Sequence, residues 1–214
     1  MKKEKHVLRD AMIRDVFEMV KLNLIFVVCC IPLVSIPSAI GTMTQITLQL
    51  QRGDKTYIVG DFLHYFRINF VKHTLSALAL LAVAAVFGFV FWFYSTARAA
   101  SGILMTLLLV MTLIPLLLCY CASCYLWVMN TVMELPLLQR LKNAVLLSVI
   151  CLKESGLFLA LGVLMAVVAY YGVPYTAPFF LVFGLAYWNY VCTYHAYGAI
   201  KRYLAPPEEK QEEL

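Results

Sequence analysis

Charge is what this sequence has least of. Asp, Glu, Lys and Arg make up only 14% of it, against 63% hydrophobic residues, and the mean hydropathy is +0.82. Soluble domains carry about 25% charged residues, so a water-soluble globule is a poor fit. The apolar runs are continuous and lack the polar–apolar alternation of a membrane β-barrel. Glycine-rich phosphate loops, RNP-like motifs and zinc-finger spacings are missing as well. The excess of 17 Lys and Arg over 12 Asp and Glu therefore reads as a basic face on an anionic leaflet, and nucleic acid is not an expected partner. Six of the seven cysteines (Cys29, Cys30, Cys119, Cys121, Cys124 and Cys192) lie in apolar runs, and Cys151 lies in a predicted inner-face helix. None marks an extracellular disulfide framework. On a helix Cys121 and Cys124 share a face while Cys119 points nearly opposite, so the three cannot ligate one metal. No metal or other cofactor is expected.

What the sequence does have is long apolar runs. Four spans are clear, at 75–97, 103–128 (with Pro115 as a kink), 156–172 and 176–196, and none contains Asp, Glu, Lys or Arg. The stretch "IPLVSIPSAIG", Ile31–Gly41, is the point that decides topology. Either the chain kinks there and makes one crossing of 22–50, or it turns back as two arms, 22–36 and 38–50. With the turn, and the N-terminus inside, 16 of the 17 Lys and Arg face the cytoplasm and only Arg98 lies outside. With a single crossing the split is 7 inside and 10 outside. The positive-inside rule selects the turn. Pro32 and Pro37 lack N–H groups and restrict the residues before them, and Ser35 and Ser38 are placed to satisfy freed backbone groups. Each arm gives roughly 20 Å of helix, short of the ~30 Å hydrocarbon core. The first hairpin is therefore either re-entrant or lengthened by residues 16–21.

The fold class expected is an all-α polytopic membrane protein with about six membrane helices arranged as three hairpins. Residues 1–21 form a basic amphipathic helix, read as retained and not as a signal peptide: Arg14, Glu18 and Lys21 line one side, and Ile13, Phe17 and Val20 the other. Residues 22–200 form a single transmembrane domain, and 201–214 an acidic flexible tail. Two amphipathic helices lie on the inner face, at 61–73, with Asp61 as N-cap, and at 135–154, with Arg140, Lys142 and Lys153 as polar markers. The two blocks form a faint repeat of inner-face helix, rising span, outer turn and descending span. Aromatics collect at the predicted edges, Phe91–Tyr94 and Tyr170, Tyr171 and Tyr175 outside, Tyr125, Trp127, Tyr190, Tyr194 and Tyr197 inside.

Candidate functional residues fall into three groups. Asp61, Phe62, Phe66, Arg67, Asn69 and Phe70 form an aromatic, basic-edged helix face suited to docking a partner or anchoring in lipid. Thr42, Gln45 and Gln49 share a helix face and, with Thr44, Asn23 and Asn189, supply neutral polar groups inside the membrane. These either line a path for a polar solute or hydrogen-bond neighbouring helices. Pro32, Ser35 and Pro37 are structural turn residues. Cys192 and His195, three apart on one helix, lack an orienting acid, which makes an enzyme a weak reading. Glu18 and Lys21 can pair at the inner edge of the first arm.

The segments "LNLIFVVCCIPLVSIPSA", "LQLQRGDKTYIVGDF" and "FRINF" resemble the YesL family of bacterial integral membrane proteins, whose molecular function is unknown. That family has an Asn after the first basic helix, matched by Asn23. Its Pro-x-x-Thr-x-Gly-Pro-Ala turn is matched by Pro32, Ser35 and Ala39, with Pro37-Ser38 in place of Gly-Pro. Its Arg-Gly-acidic loop is matched by Arg52, Gly53 and Asp54. Its Asp-Phe-x-x-x-Phe-x-x-Asn-Phe helix is matched by Asp61, Phe62, Phe66, Asn69 and Phe70. The resemblance covers about a quarter of the chain. It implies an integral protein of the bacterial cytoplasmic (inner) membrane, which the charge split above makes multi-pass with both termini cytoplasmic. It also implies a non-enzymatic accessory role beside carbohydrate ABC importers, whose subunits, or another membrane protein, join lipid as expected partners. A small transporter or channel for a neutral polar solute is the alternative.

Overall fold

The structure is a computed structural model, and it describes residues 2–97, 103–172 and 180–204. All regular structure among these residues is helical. The helices are α1 (Lys2–Cys29), α2 (Ile36–Arg52), α3 (Ile58–Ile68), α4 (Phe70–Ala97), α5 (Ile103–Val132), α6 (Leu137–Ile150), α7 (Leu152–Gly172) and α8 (Leu185–Leu204). A short 3₁₀ turn, Leu33–Ser35, precedes α2, and one wide π-type turn, Phe180–Gly184, precedes α8.

Among the described residues three helices are long and apolar enough to cross a membrane: Phe70–Thr96, Thr106–Val132 and Leu152–Gly172. They correspond to the expected spans 75–97, 103–128 and 156–172. Little of each is covered by the rest of the chain, as expected for helices whose flanks meet lipid. The other three expected spans are not among them. α2 has 17 residues and carries Thr and Gln throughout. The 22–36 arm is the end of α1, which stops at Cys29. Of the expected span 176–196, residues 176–179 lie outside the described set, and α8 is rich in Tyr and carries Lys201 and Arg202 in its last turn.

Several boundaries differ from the sequence reading. The basic N-terminal segment and the first arm are one uninterrupted helix, α1, because nothing near Lys21 breaks the pattern. The 61–73 helix is two helices, divided at Asn69 (φ −95°, ψ 7°). The 135–154 helix ends at Ile150, and α7 starts one residue after Cys151 (φ −93°, ψ 61°). Pro115 sits inside α5 without ending it. α8 runs to Leu204, so the predicted tail starts later; 205–214, Arg98 and Tyr175 lie outside the described residues.

The chain divides into two compact units. The first comprises residues 1–74 and 161–195. Its core takes Met19, Leu22 and Phe26 from α1, Ala39, Met43 and Ile46 from α2, Ile58 and Phe62 from α3, and Ala186 from α8. The second comprises 75–160 and 196–214. There α5 packs along α6, and Tyr125 meets Phe158 edge-on with ring centroids 5.3 Å apart.

The α2 helix is delimited by sequence chemistry. Pro37 falls in its first turn, where a missing N–H costs nothing. The Ser35 hydroxyl lies against the carbonyls of Cys29 and Pro32, satisfying acceptors that the end of α1 leaves open. At the other end Gly53 takes φ 78°. Its N–H bonds Leu50 O, and the Asp54 N–H bonds Gln49 O, a left-handed cap that glycine adopts without steric cost.

Candidate functional site

The polar residues of the first unit converge on α2, whose faces have three different jobs. At 100° per residue, Ala39, Met43 and Ile46 form one apolar face, and all three join the core shared with α1. Ser38, Gly41, Gln45 and Gln49 form a second face, directed at α3 and the start of α4. Ser38 donates to Phe66 O at 3.1 Å, a carbonyl in the last turn of α3. Gln45 Oε1 accepts from Asn69 Nδ2 at 3.2 Å. Gln49 Nε2 donates to the Tyr65 hydroxyl at 3.0 Å. The third face carries Thr44 and Gln51 and meets α8. Thr44 accepts from Asn189 Nδ2 at 3.0 Å, and Gln51 donates to Tyr190 O at 2.8 Å.

Gly41 is the point of closest approach. The fully buried His73 imidazole lies where a Cβ on Gly41 would be. Only hydrogen fits there, which lets the first turn of α4 rest on the α2 backbone.

Asn23 performs a separate task. The π-type turn before α8 leaves backbone groups without helical partners. Asn23 Nδ2 donates to Phe180 O at 3.0 Å, and its Oδ1 accepts from the Ala186 N–H at 2.8 Å. An amide side chain offers a donor and an acceptor at once on two separate atoms, whereas an ionised carboxylate only accepts.

The polar intramembrane candidates thus act largely as interhelical connectors. Thr42 does not join the network, and its hydroxyl is buried without a partner. The same holds for the hydroxyl of Thr47 and the side-chain carbonyls of Gln49 and Gln51. Thr47 and Gln51 were not singled out from sequence, although their place on the α2 wheel away from the Gln45 face was readable there.

The α3 docking candidates are mostly spent on the fold. Phe62 is fully buried, so it is not part of an exposed face. Phe66 packs against the same core, stacked on Phe62 and edge-on to Phe70, with ring centroids 6.1 and 5.8 Å apart. Asn69 is tied to Gln45. Asp61 is not the N-cap. The helix begins three residues earlier, and Asp61 reaches back to accept the Tyr57 N–H at 2.8 Å, in the manner of a capping box. Arg67 alone of the six is exposed, and its neighbours on that outer face are Val59, Leu63, His64 and Ile68.

The second unit holds a polar cluster that the sequence reading missed. Arg140, expected as a surface marker, is only 6% exposed. Its Nη1 contacts Asn130 Oδ1, which also accepts from the Ser76 hydroxyl at 3.3 Å. Burial lowers the pKa of the guanidinium from its ordinary value. Nearby, Ser155 donates to Ser148 O at 2.8 Å and accepts the Tyr125 hydroxyl at 3.4 Å, tying α7 to α5 and α6. Glu18 and Lys21 pair at 2.9 Å, as the spacing predicted. Tyr194 meets the His195 ring edge-on at 5.4 Å, while Cys192 is buried. Among the described residues no group of His, Cys, Asp and Glu could hold a metal ion.

Residues 19–91 match a family described as "Protein of unknown function, DUF624". The matched segment covers about a third of the chain and includes Asn23, the Pro32–Pro37 turn, all of α2 and α3 and most of α4. No curated protein and no solved structure matches the chain.

Proposed function

We propose that this chain is a YesL-like, non-enzymatic integral protein of the bacterial cytoplasmic membrane that serves as an accessory or partner component of carbohydrate (ABC-type) uptake. The observation that carries the accessory reading is how α2 uses its polar groups. Four neutral side chains, Ser38, Gln45, Gln49 and Thr44, are engaged with α3 or α8. A helix whose amides join other helices builds a scaffold and leaves little open lining for a solute. The outer face of α3 is meanwhile apolar, with Arg67 and His64 beside Val59, Leu63 and Ile68, a composition suited to an interfacial helix or a membrane partner.

In this reading the arms at 22–36 and 38–50 form a short hairpin, the chain has about six membrane helices, and both termini lie in the cytoplasm. The carbohydrate connection comes from the family resemblance alone. An affinity pull-down from native membranes, analysed by mass spectrometry, tests it. Importer subunits should co-purify, and deletion of the gene should slow sugar uptake. Clean extraction without partners, with uptake unchanged in the deletion strain, refutes it.

A second reading, a small carrier for a neutral polar solute, has its own support. The unpartnered oxygens of Thr42, Thr47, Gln49 and Gln51 all lie on α2, and polyols hydrogen-bond such groups. Uptake by purified protein in liposomes across a sugar panel distinguishes the two, and absence of flux removes the carrier.

A further inference from the structure

The cluster at Arg140 has too many donors. Arg140 brings a guanidinium with five N–H bonds and no acceptor, and Asn130 adds a two-hydrogen amide. The Asn130 carbonyl is taken by Arg140 Nη1 and Ser76 Oγ. Arg140 Nε and Asn130 Nδ2 are buried without a hydrogen-bond partner. Rotating the Asn130 amide by half a turn brings no relief, because it would set NH₂ against the guanidinium and strand the oxygen instead. Arg140 has no carboxylate within ion-pairing distance among the described residues; its one hydrogen bond is to neutral Asn130. A buried cation without an anion is among the costliest arrangements a fold can keep.

Three helices assemble this cluster. Ser76 comes from α4, Asn130 from the last turn of α5 and Arg140 from α6, and all three are at least nine-tenths buried. The membrane-crossing stretch of α5 ends at Val132. Where α5 crosses a bilayer as its length and apolarity allow, Asn130 in its last turn lies close to the headgroups, whose abundant acceptor is the phosphodiester.

We infer that Ser76, Asn130 and Arg140 form a binding site for a phosphate-class oxyanion, supplied by a phospholipid headgroup or by free phosphate. The anion takes the Arg140 Nε–H and the Asn130 amide N–H, and supplies the negative charge the guanidinium lacks. A planar guanidinium suits two oxygens of one phosphate, which an ammonium group does not match.

The test uses full-length protein in neutral detergent. Thermal unfolding is followed while inorganic phosphate is titrated at constant ionic strength, and separately while micelles are doped with phosphatidylglycerol. A saturable rise in the unfolding temperature is expected in one arm, absent with chloride, and weakened at least tenfold in apparent affinity by R140K. A response to lipid alone assigns the headgroup, and a response to phosphate assigns the free ion. Native mass spectrometry of wild-type protein needs no variant and should show a retained phospholipid or phosphate. No saturable response in either arm, an equal response in R140K, or no retained phosphorus species would overturn the site.

Discussion

A single amide shows how much one residue carries here. Asn23 is fully buried and holds both a carbonyl and an N–H of the turn that starts α8. Replacing it with Leu keeps the volume but removes its bonds to Phe180 O and the Ala186 N–H. A buried polar group without a partner costs about 1–3 kcal/mol, and interhelical bonds in membranes average at the lower end. We expect Asn23→Leu to lower stability by about 1–3 kcal/mol in detergent unfolding assays, and wild-type stability would sink this account. Asn23 could be picked out from the sequence as a polar residue in an apolar run. Its partners could not, because they lie 157 and 163 residues away and depend on a wide turn that no local pattern announces. Arg140 misled for the opposite reason. An Arg among leucines reads as a solvent marker, and only its pairing with Asn130 across the α5–α6 junction buries it.

At the scale of helices, the start and end of α2 were legible and its surroundings were not. Pro32, Pro37 and Gly53 act through their own backbone chemistry, so their effect needs no neighbour. The breaks at Asn69 and Cys151 have no proline or glycine at the break itself. At Asn69 the helix division coincides with a side-chain bond to Gln45, a tertiary contact. Which of the α3 aromatics are buried was illegible for a similar reason. Phe62, Phe66 and Phe70 keep helical spacing whether they face lipid or core, and the spacing cannot say which. The contact between Gly41 and His73 gives the sharpest test at this scale. Gly41→Ala places a methyl on an imidazole that is itself fully enclosed. Overpacking of this kind costs about 1–3 kcal/mol. His73→Ala alone should also destabilise by leaving a cavity. The double variant should be less damaged than the two losses added together, because the second change removes the obstacle to the first. Strict additivity in a double-mutant cycle would show that the two residues do not press on one another.

For the whole molecule the open matter is orientation, and α4 offers the means to fix it. Its 28 residues give about 42 Å of helix at 1.5 Å per residue, enough to cross the hydrocarbon core and emerge on both sides. Lys55 lies before α3 and α4 and is exposed, while Thr96 is exposed near the far end of α4. If the positive-inside rule holds for this chain, Lys55 is cytoplasmic and Thr96 is outside. Cys29 and Cys30 are partly accessible near the first turn, so both are first changed to Ser to lower the background. Lys55→Cys and Thr96→Cys are then introduced separately into that chain. With a thiol reagent that does not cross membranes, intact spheroplasts should label Thr96→Cys and leave Lys55→Cys at the level of the parent. Permeabilised membranes should label both. If the first apolar stretch instead made one crossing, the segment after it would change sides, and 10 of the 17 basic residues would lie outside. Lys55→Cys would then react in intact cells, and the turn at Pro32–Pro37 would have to be read as a kink.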